Sequence, residues 1–481
     1  MGSDGRQDAQ GGKEVFGYVP ATALGHMGNL LVPYDASAQE DSSFEHRYFV
    51  DGPVVVGDIH DSGWKTALVG TAGAGGRSVF ALDVTDPTAF GANSRLWELN
   101  DFDPSLDAAV RDNIGFVLGK PVIVPVRGPG GAPAFKAIFG NGVESKDGKA
   151  ALFVVDLVAG SAPKVKTYVV EETGRNAPAG RNGLTNIVVV DRWSGTGQDV
   201  RGRDGFADTV YGADQKGAIW KFDLTSDAAP AFPVFTTNTH VETDRLTYRQ
   251  PIMGGLTATA GPAGGVMLLF GTGSFSYVED GVDTSIQGLY GVNDVSGKSV
   301  ASARDTLTSA NLRPITVETG TDGRTITMGD APAGNAGWTV ILPACERFVA
   351  NPTVTSGVVF MPTYVPKVGV SGGCTVDGSN WLFGLSTGTG AAALSQVRLG
   401  TPDGKNPAKG TAALPLNTGG NAPVRDVTTA VVPRLGAPEK SGGNPPPTPP
   451  GSACMMQVSV AGAPPMYLPY PCGRQSWRQI K

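Results

Sequence analysis

Charge and histidine are both scarce in this chain: 17% of its 481 residues are Asp, Glu, Lys or Arg, and it has four histidines. So few imidazoles leave little for a histidine-based zinc enzyme to work with. With 38 basic residues against 44 acidic ones the formal net charge is -6, which excludes the basic footprint of a nucleic-acid-binding protein. No apolar run reaches roughly 18 residues, so no transmembrane helix is expected. The opening MGSDGRQDAQGGKEV also lacks the apolar core of a signal peptide. Catalytic arrangements are missing too. His26, His46, His60 and His240 are scattered and read as polar turn residues, and no serine, histidine and acid come together in a nucleophilic pattern. Asp101 and Asp103 are close in sequence, but FDPSLD reads as a helix start rather than an acid-base pair. GTAGAGG (70 to 76) has neither the following helix nor the GK[ST] ending of a phosphate cradle.

What the chain does have is glycine and proline, 68 and 36 residues, with 40% hydrophobic residues. Both residues punctuate strands and are poor in helix interiors, so this is an all-β composition with ample material for a core. The four cysteines are Cys345, Cys374, Cys454 and Cys472, none in a CxxC pair. An even count in a glycine-rich β-protein favours disulfides and an oxidising compartment. Chain proximity suggests Cys345 with Cys374 and Cys454 with Cys472, although four cysteines allow three connectivities.

A repeat runs along the chain. SVFALDV (78 to 84), ALFVVDL (151 to 157) and AIWKFDL (218 to 224) alternate apolar positions and end in Asp and a branched residue, with GLYGVND (288 to 294) and WLFGLST (381 to 387) as weaker copies. Anchored on Asp83, Asp156, Asp223, Asn293 and Ser386, the copies are 73, 67, 70 and 93 residues apart. A second strand-like stretch precedes four of them: TALVGTAG, KAIFGNG, DTVYGAD and MLLFGTG. Still earlier lie more apolar stretches: VDGPVVVGD, GKPVIVPV, LTNIVVVD, PIMGGLTAT and ANPTVTSGVVFMP. Short strands with period-2 alternation, joined by glycine turns, read as antiparallel sheets. Sheets repeated at this spacing cover their faces by radial stacking, which makes a β-propeller the most economical architecture, ahead of a β-sandwich array or a β-helix.

Five units are visible, and the less regular ends could raise the count to six or seven. Residues 295 to 337 are polar and predict an inserted hairpin or irregular loop, and 388 to 424 are Gly/Ala-rich and predict a long exposed connection. GAPEKSGGNPPPTPPGSA (436 to 453) is a polyproline-like tether, followed by a strand at CMMQVSV (454 to 460). Residues 1 to 12 are a polar lead-in to a propeller of residues 13 to 481. The tryptophans, Trp64, Trp97, Trp220 and Trp381 among them, sit at strand positions where core packing is expected.

RGRDGFADTVYGAD (201 to 214) is the stretch with metal-binding character. In a calcium loop, short carboxylates at positions 1, 3, 5 and 9 converge while a glycine makes the sharp turn. With Asp208 as position 9, Asp204 falls at position 5 and Gly205 at position 6, but Gly202 and Val200 occupy positions 3 and 1. Asp191 ends the preceding NIVVVD strand, where a first ligand would sit, and RWSGTGQDVRG intervenes. Asp191, Asp204 and Asp208 are therefore candidate calcium ligands, with Asp199 as a weaker fourth. The alternative is an Asx-type turn, which accounts for Asp204-Gly205 and leaves Asp208 without a role.

HRYFVDGPVVVGD (46 to 58), WKTALVGTAGAGGRSVFALDVTDP (64 to 87), KAIFGNG (136 to 142), DGFADTVYGADQKGAIWKFDL (204 to 224), FGTGSF (270 to 275) and the terminal GRQSWRQI together resemble a known family. It is the C-terminal β-propeller domain of the type IV pilus assembly and tip-associated adhesin proteins (PilC/PilY). The resemblance implies a modified seven-bladed propeller with long loop insertions, related in design to quinoprotein dehydrogenases but without their catalytic role. It implies a non-enzymatic pilus biogenesis factor and adhesin that contacts minor pilins or the pilus tip complex and host or abiotic surfaces. It also implies calcium in a D-x-N/D-x-D-G-x-x-D loop tied to pilus extension. Asp204 and Asp208 match the second half of that loop, and Asp191 matches its first aspartate only across an insertion. Members are exported, so the expected location is extracellular or outer-membrane associated at the pilus tip, reached through the periplasm as part of a longer precursor. The strand NDGMLHAF that usually precedes this region is absent, so an incomplete N-terminal blade is expected. Two other readings are a quinoprotein oxidoreductase using pyrroloquinoline quinone, and a secreted glycan-binding propeller.

Overall fold

The computed structural model describes residues 13–31, 47–158, 163–172, 177–192, 203–225, 231–241, 247–297, 306–367, 378–420, 422–432 and 454–470. The expected N-terminal segment 1 to 12, the tether 436 to 453 and the terminal GRQSWRQI lie outside these residues. The chain divides into two compact units, Met1–Gln215 with Phe222–Ala231, and Lys216–Lys221 with Phe232–Lys481.

Val, Ile, Phe and Trp crowd the repeat copies, and such side chains fit a pleated surface better than a helix. Each copy is the third strand of an antiparallel array. In the first unit, Val54–His60, Trp64–Thr71, Ser78–Asp83 and Arg95–Asn100 pair in chain order, and Val122–Arg127, Pro133–Gly140, Ala150–Asp156 and Val165–Val170 do the same. The third repeat is shared: its Leu184–Val190 and Thr209–Asp214 pair belongs to the first unit, while Phe232–Thr236 and most of Ala218–Asp223 belong to the second.

Within the second unit the fourth array is Thr257–Ala260, Val266–Gly271, Gly288–Asp294 and Gly337–Ile341. The fifth is Thr353–Thr355, Val358–Val365, Ser379–Ser386 and Thr411–Leu416. A hairpin, Arg313–Thr319 with Arg324–Met328, runs parallel to Gly337–Ile341 on one side and pairs with Thr411–Leu416 on the other. It fuses the two arrays into one ten-stranded sheet. The polar insertion at 295 to 337 thus contains a hairpin. The last array, Thr428–Val432, Cys454–Ser459 and Met466–Tyr470, is completed at its far edge by Arg398–Leu399 from upstream. Six arrays are therefore formed among the described residues, the pattern of a modified propeller.

The 388 to 424 segment is not the exposed connection its composition predicts. It supplies Thr411–Leu416 and Arg398–Leu399, and Ala393, Leu394, Val397, Ala412 and Ala413 are fully buried. A Gly/Ala count does not distinguish buried alanines from those of a linker.

Faces of neighbouring arrays close on each other. Val69, Val79, Trp97, Phe139, Phe153 and Val155 make one core in the first unit. Leu269, Leu289, Trp338, Val340, Phe348 and Phe383 make another in the second, and Phe360, Leu394, Val458 and Leu468 a third. Two tryptophans repeat one device. Trp97, on the fourth strand of the first array, donates its indole N–H to the Asp156 carbonyl that ends the third strand of the second array, at 2.9 Å. Trp338, on the fourth strand of the fourth array, donates to the Thr387 carbonyl just past the third strand of the fifth, at 3.0 Å. Trp64 departs from the core-packing expectation: it is 71% exposed, edge-on to His60.

The glycine that ends TALVG, KAIFG, DTVYG and MLLFG is a packing requirement. A Cβ on Gly271 would lie 2.5 Å from Cβ of Phe348, which is fully buried. Gly271→Ala is expected to cost about 1–3 kcal/mol through overpacking, read by urea unfolding; an unchanged midpoint would show that Phe348 can yield.

The aspartate that ends the repeat copies has a local cause. Asp83 accepts from the N–H and hydroxyl of Thr85, Asp223 from those of Thr225, and Asp294 from those of Ser296. These Asx turns stop the strand and launch the next connection. The fourth repeat is thus anchored on Asp294 rather than Asn293, a one-residue shift that the turn partner reveals.

Candidate functional site

The loop between Leu184–Val190 and Thr209–Asp214 is held at its mouth by the ladder itself. Val190 pairs with Thr209, the Asp208 N–H donates to the Val190 carbonyl at 3.2 Å, and the Arg192 N–H donates to the Asp208 carboxylate at 3.0 Å. This register returns the chain to Asp191 after the excursion. One oxygen of Asp191 accepts from the Gly205 N–H at 2.8 Å and the other from the Asp204 N–H at 3.3 Å. Asp204 in turn accepts from the Phe206 N–H at 3.0 Å. Gly205 has φ +89°, the left-handed region that glycine enters without strain.

The structure thus joins Asp191 to the Asp204–Gly205 turn, as the split-loop reading requires. Asp208 is 4% exposed and accepts from the Arg192 N–H and from the Thr209 hydroxyl, the latter at 2.7 Å. Asp199 lies outside the described residues. Two arginines that the sequence did not single out lie beside these carboxylates. Arg192 is buried and donates to the Tyr211 hydroxyl at 2.9 Å. Arg127, the last residue of Val122–Arg127, places a guanidinium nitrogen 2.5 Å from Asp204 Oδ2 and its Cζ 4.6 Å from the centroid of the Phe206 ring. The Ala207 N–H donates to the Pro125 carbonyl at 2.8 Å and ties the loop to the same strand. The only sequence signal for Arg127 is a basic residue closing an apolar first strand where VVVGD and IVVVD end in acid.

Calcium takes about six to eight oxygen ligands at about 2.3–2.6 Å. Here both oxygens of Asp191 receive backbone N–H groups, Asp204 receives a guanidinium, and Asp208 receives an N–H and a hydroxyl. Among the described residues no group of three or more His, Cys, Asp and Glu side chains is disposed to hold a metal. As arranged, the described carboxylates do not fit a bound calcium ion.

The remaining candidates are engaged elsewhere. Asp101 pairs with Arg77 at 3.2 Å. Asp103 accepts from the Ser105 hydroxyl and N–H, and that hydroxyl bond, reinforced by the backbone one, holds its carboxyl below the usual range, the opposite of what a general acid needs. Asp51 accepts from the Ala74 N–H at 2.7 Å, so the glycine turn at 70 to 76 already holds a carboxylate. His26 lies 4.8 Å from the Phe49 ring, and His46 is outside the described residues. Cys345 and Cys454 are each disulfide-bonded, and no described cysteine is free. Cys374 and Cys472 lie outside the described residues. No helix among the described residues is long and apolar enough to cross a membrane.

Comparison with known proteins adds sequence and fold relatives. The sequence model of the PilY1 beta-propeller domain matches residues 5–328. The chain is 34% identical over 498 residues to a type IV pilus biogenesis factor PilY1 homolog of Xylella fastidiosa, covering 98% of this chain and 32% of that protein. It is 28% identical over 425 residues to type IV pilus biogenesis factor PilY1 of Pseudomonas aeruginosa strain PAO1, covering 79% of this chain and 33% of that protein. The chain thus spans about a third of the length of the curated relatives it matches. The crystal structure of the Pseudomonas aeruginosa PilY1 C-terminal domain superposes with a TM-score of 0.63 at 21% identity, over 96% of this chain and 89% of that one.

Proposed function

The chain belongs to the PilY1 β-propeller family, and from that premise we propose that it is the C-terminal propeller module of a non-enzymatic type IV pilus biogenesis factor and tip-associated adhesin. The observation that carries the reading is the family match across residues 5–328, which spans the first three arrays and the first three strands of the fourth. The module works by presenting loops from a stiff β-framework, a task propellers suit because successive arrays offer a broad face without needing a reaction centre. Its partners in this reading are minor pilins or the pilus tip complex on one side and a host or abiotic surface on the other. Its place is outside the cell or at the outer membrane, in disulfide-permitting surroundings. The ring size expected from the family resemblance is seven blades; the described residues form six arrays. Calcium regulation is a separate proposal, since it rests on the 191 to 208 loop and not on the framework.

A domain exchange tests the function. In Pseudomonas aeruginosa lacking its own PilY1, the relative is supplied with its C-terminal domain replaced by this chain. Recovery of surface pili and twitching, against none for the relative truncated before that domain, is the expected result. A chimera that is exported and stable yet restores neither would defeat the proposal.

A further inference from the structure

We propose that a cavity in the first unit, apart from the aspartate loop, binds a small organic acid through its carboxylate, with the apolar body of the acid against aromatic rings. The cavity measures about 500 Å³, within the range of roughly 300–1,000 Å³ that holds small ligands. One wall is the short helix Ala21–Leu24 and the turn after it, which contribute Thr22 and His26. Arg77, at the end of the glycine turn before Ser78–Asp83, forms another, and Asp101, Phe102 and Phe116 line the rest. The helix is fastened to the first array, since the Ala21 N–H and the Tyr18 hydroxyl donate to the two oxygens of Glu98 at 2.8 and 2.7 Å. That wall is therefore fixed to the sheet.

Three buried polar atoms at this cavity have no hydrogen-bond partner among the described residues: Thr22 Oγ1, His26 Nε2 and Arg77 Nε. Leaving such atoms unpaired costs free energy, so three of them around one space call for a polar occupant. Arg77 sets the sign of that occupant. Its guanidinium uses Nη1 on Asp101 at 3.2 Å and holds its Cζ 5.1 Å from the Phe116 centroid, which leaves the Nε side as a planar donor edge of the kind that pairs with a carboxylate. Arg47 also lines the cavity, so two guanidinium charges stand against one Asp101 carboxylate. The balance of one positive charge suits a monoanion better than a phosphate dianion. Phe116 and the exposed Phe102 supply apolar surface for the body of the acid. The inference stands apart from the pilus reading, since it is decided by ligand binding to the chain itself.

The experiment titrates the full chain with phenylacetate, 2-phenylacetamide and inorganic phosphate by ligand-observed NMR, with a thermal melt of each variant. Phenylacetate is expected to bind with a dissociation constant of about 10⁻³ M, and the amide, equal in shape but uncharged, about tenfold more weakly. Arg77→Gln is expected to weaken phenylacetate binding by about tenfold. Thr22→Val removes an unpaired hydroxyl at nearly constant shape, so it is expected to weaken the acid by about threefold while melting stays unchanged or rises. A merely structural role for Thr22 would not give that combination. No binding of phenylacetate, equal binding of the amide, tighter binding of phosphate than of phenylacetate, or unchanged affinity in folded Arg77→Gln or in Thr22→Val would each overturn the proposal.

Discussion

Glu346→Ala is expected to lower the unfolding free energy by about 3–5 kcal/mol, because it strands a guanidinium in the core of the second unit. Glu346 is fully buried and Arg324 is 5% exposed. A single nitrogen of Arg324 reaches both carboxylate oxygens of Glu346 at 2.7 Å, and the Thr363 hydroxyl donates to the same carboxylate. The guanidinium lies 3.8 Å from the centroid of the Trp381 ring. Arg324 opens the second strand of the inserted hairpin, while Thr363 and Trp381 belong to the fifth array. The pair therefore locks an insertion to the sheet beside it. Without the carboxylate, a charge stays buried with only an aromatic face to answer it. Replacing both partners, Arg324→Met with Glu346→Leu, is expected to recover most of the loss, since the desolvation penalty vanishes with the pair. Urea unfolding followed by tryptophan fluorescence checks both variants. A double variant as unstable as Glu346→Ala would show that the hairpin is held by the pair's geometry rather than by charge balance.

The second large effect is expected at Lys221. Its ammonium group donates to Asp294 at 2.8 Å, to the Ser296 hydroxyl and carbonyl at 3.1 and 3.2 Å, and to the Gly297 carbonyl at 2.9 Å. Lys221 is 1% exposed and Asp294 3%. Lys221→Met preserves the length of the stem but leaves the Asp294 carboxylate buried without its counter-charge, a loss of about 3–5 kcal/mol in the same assay. Asp294 keeps its Ser296 N–H and hydroxyl donors, which places the effect toward the lower end of that range. Pairing Lys221→Met with Asp294→Asn is expected to be milder than the single change. A loss under about 1 kcal/mol for Lys221→Met would mean that water reaches Asp294.

Lys221 also shows where a pattern reading stops. In AIWKFDL the lysine alternates with apolar neighbours and reads as the solvent-facing position, yet Ala218–Asp223 is buried along its whole length. Central strands of stacked sheets are covered on both faces, so period-2 alternation there marks which neighbour a side chain meets and no longer which side is wet. Trp64 errs the other way, an aromatic at a strand position that stands in solvent. The 388 to 424 segment, read as a connection, is divided between two arrays, with Ala393, Ala412 and Ala413 fully buried.

The aspartate loop divides along similar lines. That Asp204-Gly205 makes a turn was legible, since an Asx carboxylate and a glycine at positive φ are local chemistry. The return of Asp191 to that turn depends on Val190 pairing with Thr209, which a strand pattern on either side suggests. Arg127 had no such signal, because it meets Asp204 across 77 residues of sequence.

The succession of short strands within the first four repeats, the glycine near the end of their second strand and the aspartate at the end of the third were written into the chain, because each follows from the backbone and its nearest few residues. Only the packed arrays decided which charges are buried and what answers them. Lys221 and Asp294 are 73 residues apart, and Arg324 and Glu346 sit in a hairpin insertion and the loop after the next strand. The energy of such a pair comes from burial and from distance in space, and neither is carried by neighbours in sequence.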